Sequence, residues 1–393
     1  MSAKRNYEIV LFGATGFTGG LTAEYLARHG GAKLRWALAG RNLEKLRAVR
    51  NRLSEIEPAC AELPLLLAEV DDAESIRAVA ESAKVVITTV GPYIRYGEPL
   101  VAACARAGTD YVDLTGEPEF VDRMWLEYHD LARSTGARIV HCCGFDSIPH
   151  DLGAYFTVQQ LPEDSPLCVK GYVRAGGQFS GGTLHSAITA FSRLGEYAKV
   201  SSARRKRDQW PYDRRIGSVP PRIRFESELG TWVLPMPTID PQIVRRSAAS
   251  LDRYGPNFRY GHFLQVKTLG KVALLLGGVG ALLVGAQIPL ARRRLLQIRD
   301  PGQGPSEQQR GRGWFRVTFI GKGGGRVVRC EVSGGDPGYG ETSKMLAESA
   351  LCLARDKLLR SAGVVTPAVA MGDALIKRLC KAGIQFRVLE SQG

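Results

Sequence analysis

The sequence predicts an α/β fold, a doubly wound parallel sheet followed by a second, α+β domain containing an antiparallel sheet. Three observations carry this reading. Short apolar runs alternate with helix-period segments through the first 140 residues, and each run is apolar on both faces, as a parallel sheet covered on both sides requires. The first run, at 7–12, enters Gly13-Ala14-Thr15-Gly16-Phe17-Thr18-Gly19, with glycines at i, i+3 and i+6. After about residue 151 the strand–helix alternation gives way to longer strands and a glycine-rich hairpin.

Taken in order, 7–12 is a buried strand and 18–29 has helical spacing. The next strand is 34–39, followed by a helix at 42–54 with Asn42 as its N-cap. Runs at 65–70, 84–89, 111–114 and 138–142 continue the strand series. Beyond them, 168–174 reads as a strand, and Gly181-Gly182-Thr183 opens a helix to about Val200. Residues 201–262 are rich in Pro, Arg and aromatics with weak periodicity. Strands at 314–320 and 326–333 join across Gly321-Lys-Gly-Gly-Gly325, a hairpin signal. Helices at about 341–361 and 367–382 and a last strand near 385–389 complete the chain. The expected units are 1–150, 151–340 and a C-terminal 341–393 whose helices return to the first unit.

The glycine turn needs backbone without Cβ so that a pyrophosphate can approach the N–H groups opening the helix. Gly13, Ala14, Thr15, Gly16 and Phe17 are therefore the candidate phosphate-binding residues of a Rossmann domain. At the end of the second strand an NAD site usually carries Asp or Glu; here Ala39-Gly40-Arg41-Asn42 offers the guanidinium of Arg41 for a 2′-phosphate. NADP is the expected cofactor. Asp71, past the third strand, either accepts from the adenine amino group or caps the helix beginning at Ala73. Gly91 and Pro92 turn the loop leaving the fourth strand toward the nicotinamide, which brings Tyr93 and Tyr96 near the expected substrate.

Composition narrows the classes further. The 393 residues carry 53 Lys and Arg against 39 Asp and Glu, net +14. Residues 1–150 hold 17 against 20, and 199–316 hold 22 against 8, so the excess is local. The runs Arg204-Arg-Lys-Arg207 and Arg214-Arg215 flank Trp210 and Tyr212, but no nucleic-acid module surrounds them. Their default reading is a solvated basic loop, and no nucleic-acid partner is expected. Eight cysteines and six histidines show no metal-ligand spacing, so no metal is expected and the thiols read as free in a reducing compartment. No signal-peptide pattern opens the chain.

Several strings together resemble one family. Residues 13–19, Leu-Ala-Gly-Arg (38–41) and Val-Gly-Pro-Tyr-Ile-Arg-Tyr-Gly (90–97) are similar to the saccharopine dehydrogenase-like oxidoreductases. So are Tyr-Val-Asp-Leu-Thr-Gly-Glu (111–117) and Cys-Gly-Phe-Asp-Ser-Ile-Pro-His-Asp-Leu-Gly (143–153). Within that superfamily the chain resembles most the actinobacterial trans-acting enoyl reductases of glycolipid synthesis, including at 243–247, Gly304-Pro-Ser306 and 366–375. The resemblance implies an NADP-type Rossmann domain, an antiparallel second domain, and reduction of an α,β-unsaturated thioester made by a partner polyketide synthase. From Ser147 onward the chain departs from the Cys-Gly-Leu-Asp-Pro-Gly string of saccharopine reductases, which weighs against amino-acid chemistry.

Hydride addition to an enoyl β-carbon leaves an enolate that needs hydrogen-bond donors and a proton source. Tyr93 and Tyr96 are the first candidates, with Asp146, Ser147 and His150 at the domain seam, where Asp146 reads also as a cap of the following turn and His150 as an acid or as an orienting or structural residue. His185 is a weaker candidate for the cleft. The 20 uncharged residues 272–291, between Lys271 and Arg292, would span about 30 Å as a helix. They read as an interfacial or re-entrant segment on an anionic membrane surface, with a buried helix or acyl tunnel and a true span as alternatives. The expected protein is an NADPH-dependent enoyl reductase acting on a lipid-linked or acyl-carrier-linked substrate. It would lie in the cytoplasm, at the inner face of the plasma membrane, and a homodimer is compatible with the sequence. A saccharopine-type imine reductase and a catalytically silent NADP-binding membrane protein are the alternatives.

Overall fold

The computed structural model describes residues 5–31, 33–176, 188–189, 191–208, 210–297 and 304–392. In the first domain, β1 (Tyr7–Phe12), β2 (Trp36–Gly40), β3 (Leu65–Leu67), β4 (Ala83–Thr88), β5 (Asp110–Val112) and β6 (Arg138–Val140) pair in parallel in the order β6-β5-β4-β1-β2-β3. The order reverses between β1 and β4, and such a switch point opens a crevice at the carboxyl ends of the strands. Ile9, Leu11, Val85 and Ile87 are fully buried on one face of this sheet, Val10 and Val86 on the other. Asn42 caps helix Leu43–Ile56 as expected, its side chain accepting from the Lys45 N–H. β5 stops short of the expected 114 because the Asp113 carboxylate turns back to accept from the N–H groups of Thr115 and Cys142.

The second domain is built on β7 (Leu167–Gly176), β8 (Arg215–Ser218), β9 (Arg224–Glu226), β10 (Thr231–Pro235), β11 (Asn257–Val266), β12 (Trp314–Gly323) and β13 (Arg326–Gly334). Its sheet is mixed rather than antiparallel, since β11 runs parallel to both β7 and β8 while β12 and β13 form the expected hairpin. Three of these strands and helix Asp240–Ser250 come from the weakly periodic stretch before residue 257. Short strands give too few alternations to read. The expected helix start at 181 and His185 lie outside the described residues; helix Leu194–Arg207 continues past the expected end.

The chain then returns to the first domain. Helix Gly340–Arg355, with Leu346, Ala347, Ala350 and Leu351 buried, packs against helix Phe17–His29 and the edge of β4. It ends six residues before the expected 361, where Asp356 leaves the helix and binds Arg378 of helix Pro367–Lys381 through both carboxylate oxygens. A further strand, β14 (Gly363–Val365), joins β6 in parallel and completes the first sheet. β15 (Gln385–Gln392) crosses back to pair with β13. The C-terminal segment thus contributes one strand to each sheet, which ties the two domains.

Candidate functional site

The glycine turn occupies the switch point. Gly13 has φ +94°, and a β-carbon there would lie 2.8 Å from both Thr89 Oγ1 and Val90 Cγ2. At Gly19 the same atom would lie 2.2 Å from the Gly13 carbonyl oxygen, and the Thr89 hydroxyl donates to that carbonyl at 3.1 Å. The turn is therefore pulled onto the end of β4. Ala14 is buried, whereas Thr15 and Gly16 face out ahead of helix Phe17–His29. Free N–H groups at a helix start, together with the helix dipole, form a site for phosphate. Phe17 closes one side: its ring meets Tyr339 edge-on at 4.7 Å, and the Arg310 guanidinium lies 5.6 Å from its centroid. A β-carbon on Gly304 would strike the same ring, so the 304–310 segment of the second domain lies over the turn. Arg310 and Tyr339 are site residues that no local spacing announces.

Arg41 is exposed directly after β2, on the shoulder where the adenosine end of a dinucleotide rests. Asp71 is also exposed, and it is Asp72 that caps the following helix, accepting from the N–H groups of Glu74 and Ser75. The capping alternative for Asp71 falls away. Together the glycine turn and the outward guanidinium fit NADP, which these residues would hold by pyrophosphate and 2′-phosphate.

Gly91 and Pro92, joined by a cis peptide, lead into the turn Tyr93–Tyr96. Tyr93 differs from expectation. It is buried, its hydroxyl donates to the Thr88 carbonyl at 3.1 Å, and its ring lies by Phe120. Burial, with Asp113 next, pushes this phenol well above the usual tyrosine range. It packs under the loop and has no proton to offer a substrate. Tyr96 on the same turn is 41% exposed and keeps a free edge.

The carboxylates of the 111–117 string anchor these loops. Glu117 accepts from the N–H groups of Tyr93 at 3.1 Å and Ile94 at 2.9 Å. Asp113 is fully buried; besides two backbone N–H groups it binds the Tyr111 hydroxyl at 3.0 Å and His141 Nδ1 at 2.6 Å. Asp151 joins three helices, accepting from the Ser247 hydroxyl and the Ala368 N–H.

Asp146 stands at the carboxyl edge of β5 and β6, half-buried, facing Gly116, where a β-carbon would lie 3.2 Å from its Oδ1. Burial first, then the charges of Asp240, Asp113 and Glu117, push its carboxyl up to about 7. It therefore holds its proton to higher pH than an ordinary carboxyl. Ser147 is buried, its hydroxyl 3.4 Å from Asp240 Oδ1, and His150 is buried one turn along. Among the described residues, Asp146 and Tyr96 are the expected catalytic residues that keep exposed surface.

The basic run at 204–207 ends helix Leu194–Arg207 rather than forming a loop, with Arg205, Lys206 and Arg207 exposed as expected of a solvated run. Arg204 is buried against Asp122 at 3.0 Å and stacks on Trp125, while Arg207 binds Asp130 and the Leu126 carbonyl. Arg214 donates to the carbonyls of Ala248, Ala249 and Leu251, capping helix Asp240–Ser250. Much of this charge holds domains and helix ends.

A cavity of about 780 Å³ is lined by residues including Tyr25, His29, Tyr155, Arg355 and Met371. It lies at the end of helix Phe17–His29, about 20 Å along the helix axis from the phosphate turn, and we assign it no part in cofactor binding. A second cleft of about 440 Å³ borders Ile94 and is lined by Arg95, Arg123, Arg193, Arg292 and Arg293. Arg123 and Arg193 share Glu119.

Residues 9–140 match the family model described as the saccharopine dehydrogenase NADP binding domain. The chain is 42% identical over 416 residues to a Mycobacterium tuberculosis protein provisionally named a trans-acting enoyl reductase, covering 98% of this chain and 97% of the relative. It is 40% identical over 418 residues to the trans-acting enoyl reductase of Mycobacterium bovis (strain BCG / Pasteur 1173P2), covering 97% of each. Saccharopine dehydrogenase (L-Glu forming) from Saccharomyces cerevisiae superposes with a TM-score of 0.58 over 98% of this chain and 100% of that one; at 12% identity this speaks for the fold alone. A Rossmann turn built for NADP and likeness along nearly the whole chain lead to one conclusion: the protein is an NADP-dependent oxidoreductase and belongs to the saccharopine dehydrogenase-like family, with the trans-acting enoyl reductases.

Proposed function

We propose that this protein reduces an α,β-unsaturated thioester of a lipid precursor, delivered on a phosphopantetheine arm to the inner face of the plasma membrane. The observation that carries the reading is Asp146, half-buried past the carboxyl end of β6 and facing Gly116, with burial and neighbouring carboxylates pushing its carboxyl up to about 7. NADPH, when bound, supplies hydride to the β-carbon. The enolate left behind takes a proton at the α-carbon, which Asp146 is placed to give. Tyr96 is the accessible phenol for the thioester oxygen. Five arginines around the cleft beside Ile94 suit the phosphate of a pantetheine carrier.

The purified protein is expected to oxidise NADPH with long-chain enoyl thioesters, and to prefer the coenzyme A thioester over the N-acetylcysteamine thioester of the same acid. NADPH binding with no turnover of any enoyl thioester would instead make the chain a silent NADP-binding protein.

Helix Leu269–Gln287 is long and apolar enough to cross a membrane by length and composition. Only Val272 and Ala286 of it are buried, so the buried-helix alternative does not hold. Leu274, Leu276 and Val284 are exposed, and helix Pro289–Leu296 folds back on it with Arg292, Arg293 and Arg294. A single span would put β11 and β12 on opposite sides of the bilayer, yet both flank β7 in one sheet. This favours insertion of the hairpin into one leaflet with its arginines at anionic headgroups. Replacing Leu274 and Leu276 by Asp should weaken binding to phosphatidylglycerol vesicles by about tenfold or more per leucine. Unchanged co-sedimentation of the double variant would refute the membrane role.

A further inference from the structure

We infer that His150, Asp240 and His262 form a binding site for a divalent transition metal of the zinc class, at the seam between the two domains. The three residues come from separate elements: His150 from helix Ile148–Val158, Asp240 from the start of helix Asp240–Ser250, and His262 from β11. They are 2%, 3% and 5% exposed. One donor atom from each lies within 4.8 Å of the others. His150 Nε2 is 3.7 Å from Asp240 Oδ1, and His262 Nε2 is 3.5 Å from Asp240 Oδ2. Ligands about 2.0–2.1 Å from a tetrahedral zinc ion stand about 3.3 Å apart; the two His–Asp spacings, to different Asp240 oxygens, are a few tenths of an ångström longer, and a cluster spread over up to 4.8 Å would close on binding.

The hydrogen bonding points the same way. His262 Nε2 is buried and makes no hydrogen bond, and neither does His150 Nδ1. The other nitrogen of His262 meets the Tyr260 hydroxyl at 3.2 Å. In the tautomer that donates to Tyr260, the Nε2 lone pair faces the Asp240 carboxylate and is free to ligate. A partner on the far nitrogen is how a metal-bound histidine is oriented. The Ser147 hydroxyl and the Phe145 and Tyr260 rings line the remaining sides. Two nitrogens and one carboxylate suit zinc or cobalt better than magnesium or calcium. The site would join helix Ile148–Val158 to the second domain one turn from Asp146.

The test uses the full-length, untagged chain, stripped with chelator and titrated with cobalt(II). One equivalent should bind with the intense visible absorption of tetrahedral cobalt, and zinc should displace it and raise Tm. His262→Gln and Asp240→Asn should each abolish the stoichiometric cobalt spectrum while binding NADPH as the native chain does. Absence of a one-equivalent cobalt spectrum in the native chain would overturn the assignment without recourse to a variant. So would an unchanged spectrum in a His262→Gln chain that still binds NADPH.

Discussion

Asp146→Asn should lower kcat for enoyl thioester reduction by about 10²–10⁴-fold, the usual contribution of a positioned general acid, while NADPH binding stays within about twofold. The sign of the pH dependence follows from the carboxyl's position at about 7, raised by burial and by Asp240, Asp113 and Glu117. Below that value the acid is protonated and competent; above it, the rate should fall about tenfold per pH unit, and in the variant this limb should vanish. Stability follows the same proton. A carboxyl raised in the fold above its unfolded value of 3.8 favours folding fully below pH 4, and that contribution is lost as the pH rises to about 7. The Asn variant should therefore melt above the native protein at pH 8 and level with it near pH 4. An unchanged kcat, or a variant that retains the alkaline limb, would remove Asp146 from the chemistry.

The second large effect is expected at the adenosine end. Arg41→Ala should weaken NADPH binding by about tenfold to a hundredfold, from the loss of one or two charge-assisted hydrogen bonds of about 1.5–3 kcal/mol in all. NADH binding should hardly move. Arg41 is exposed beyond β2, so raised salt should narrow the difference between native and variant proteins. Equal losses for both dinucleotides would mean that Arg41 meets some other part of the cofactor.

Much of the first domain was legible because its signals are local. Buried parallel strands need continuous apolar runs, a strand-to-helix phosphate turn needs glycines at fixed offsets, and an N-cap needs a short polar side chain. Tyr7–Phe12, the 13–19 turn and Asn42 each behave as read. The second domain was harder: β8 and β9 have only four and three residues, and no period can be counted over so short a run. Parallel pairing of β11 with β7 and β8 leaves no local mark either, since strand direction depends on the connections.

The candidate site divides along the same line. Gly13, Gly16, Arg41 and Asp146 were candidates by residue type and position in the chain. Which of them a ligand can reach was not, and Tyr93 shows why. A phenol beside Gly-Pro can face the cleft or pack beneath the loop, and the Thr88 carbonyl and Phe120 settle that choice. Glu117, Asp113 and Asp151 were visible as parts of conspicuous strings, but their work as anchors depends on N–H groups in other segments.

By itself, then, the sequence determined the fold class, the phosphate turn and the NADP preference, because each follows from backbone constraints or charge within a few consecutive residues. Tertiary structure alone decided what meets across the seam. It placed Arg310 and Tyr339 around Phe17, turned Arg204 inward, left the 269–287 helix exposed, and gathered His150, Asp240 and His262. Those contacts join residues far apart in the chain, and only folding of the two sheets against each other sets their distances.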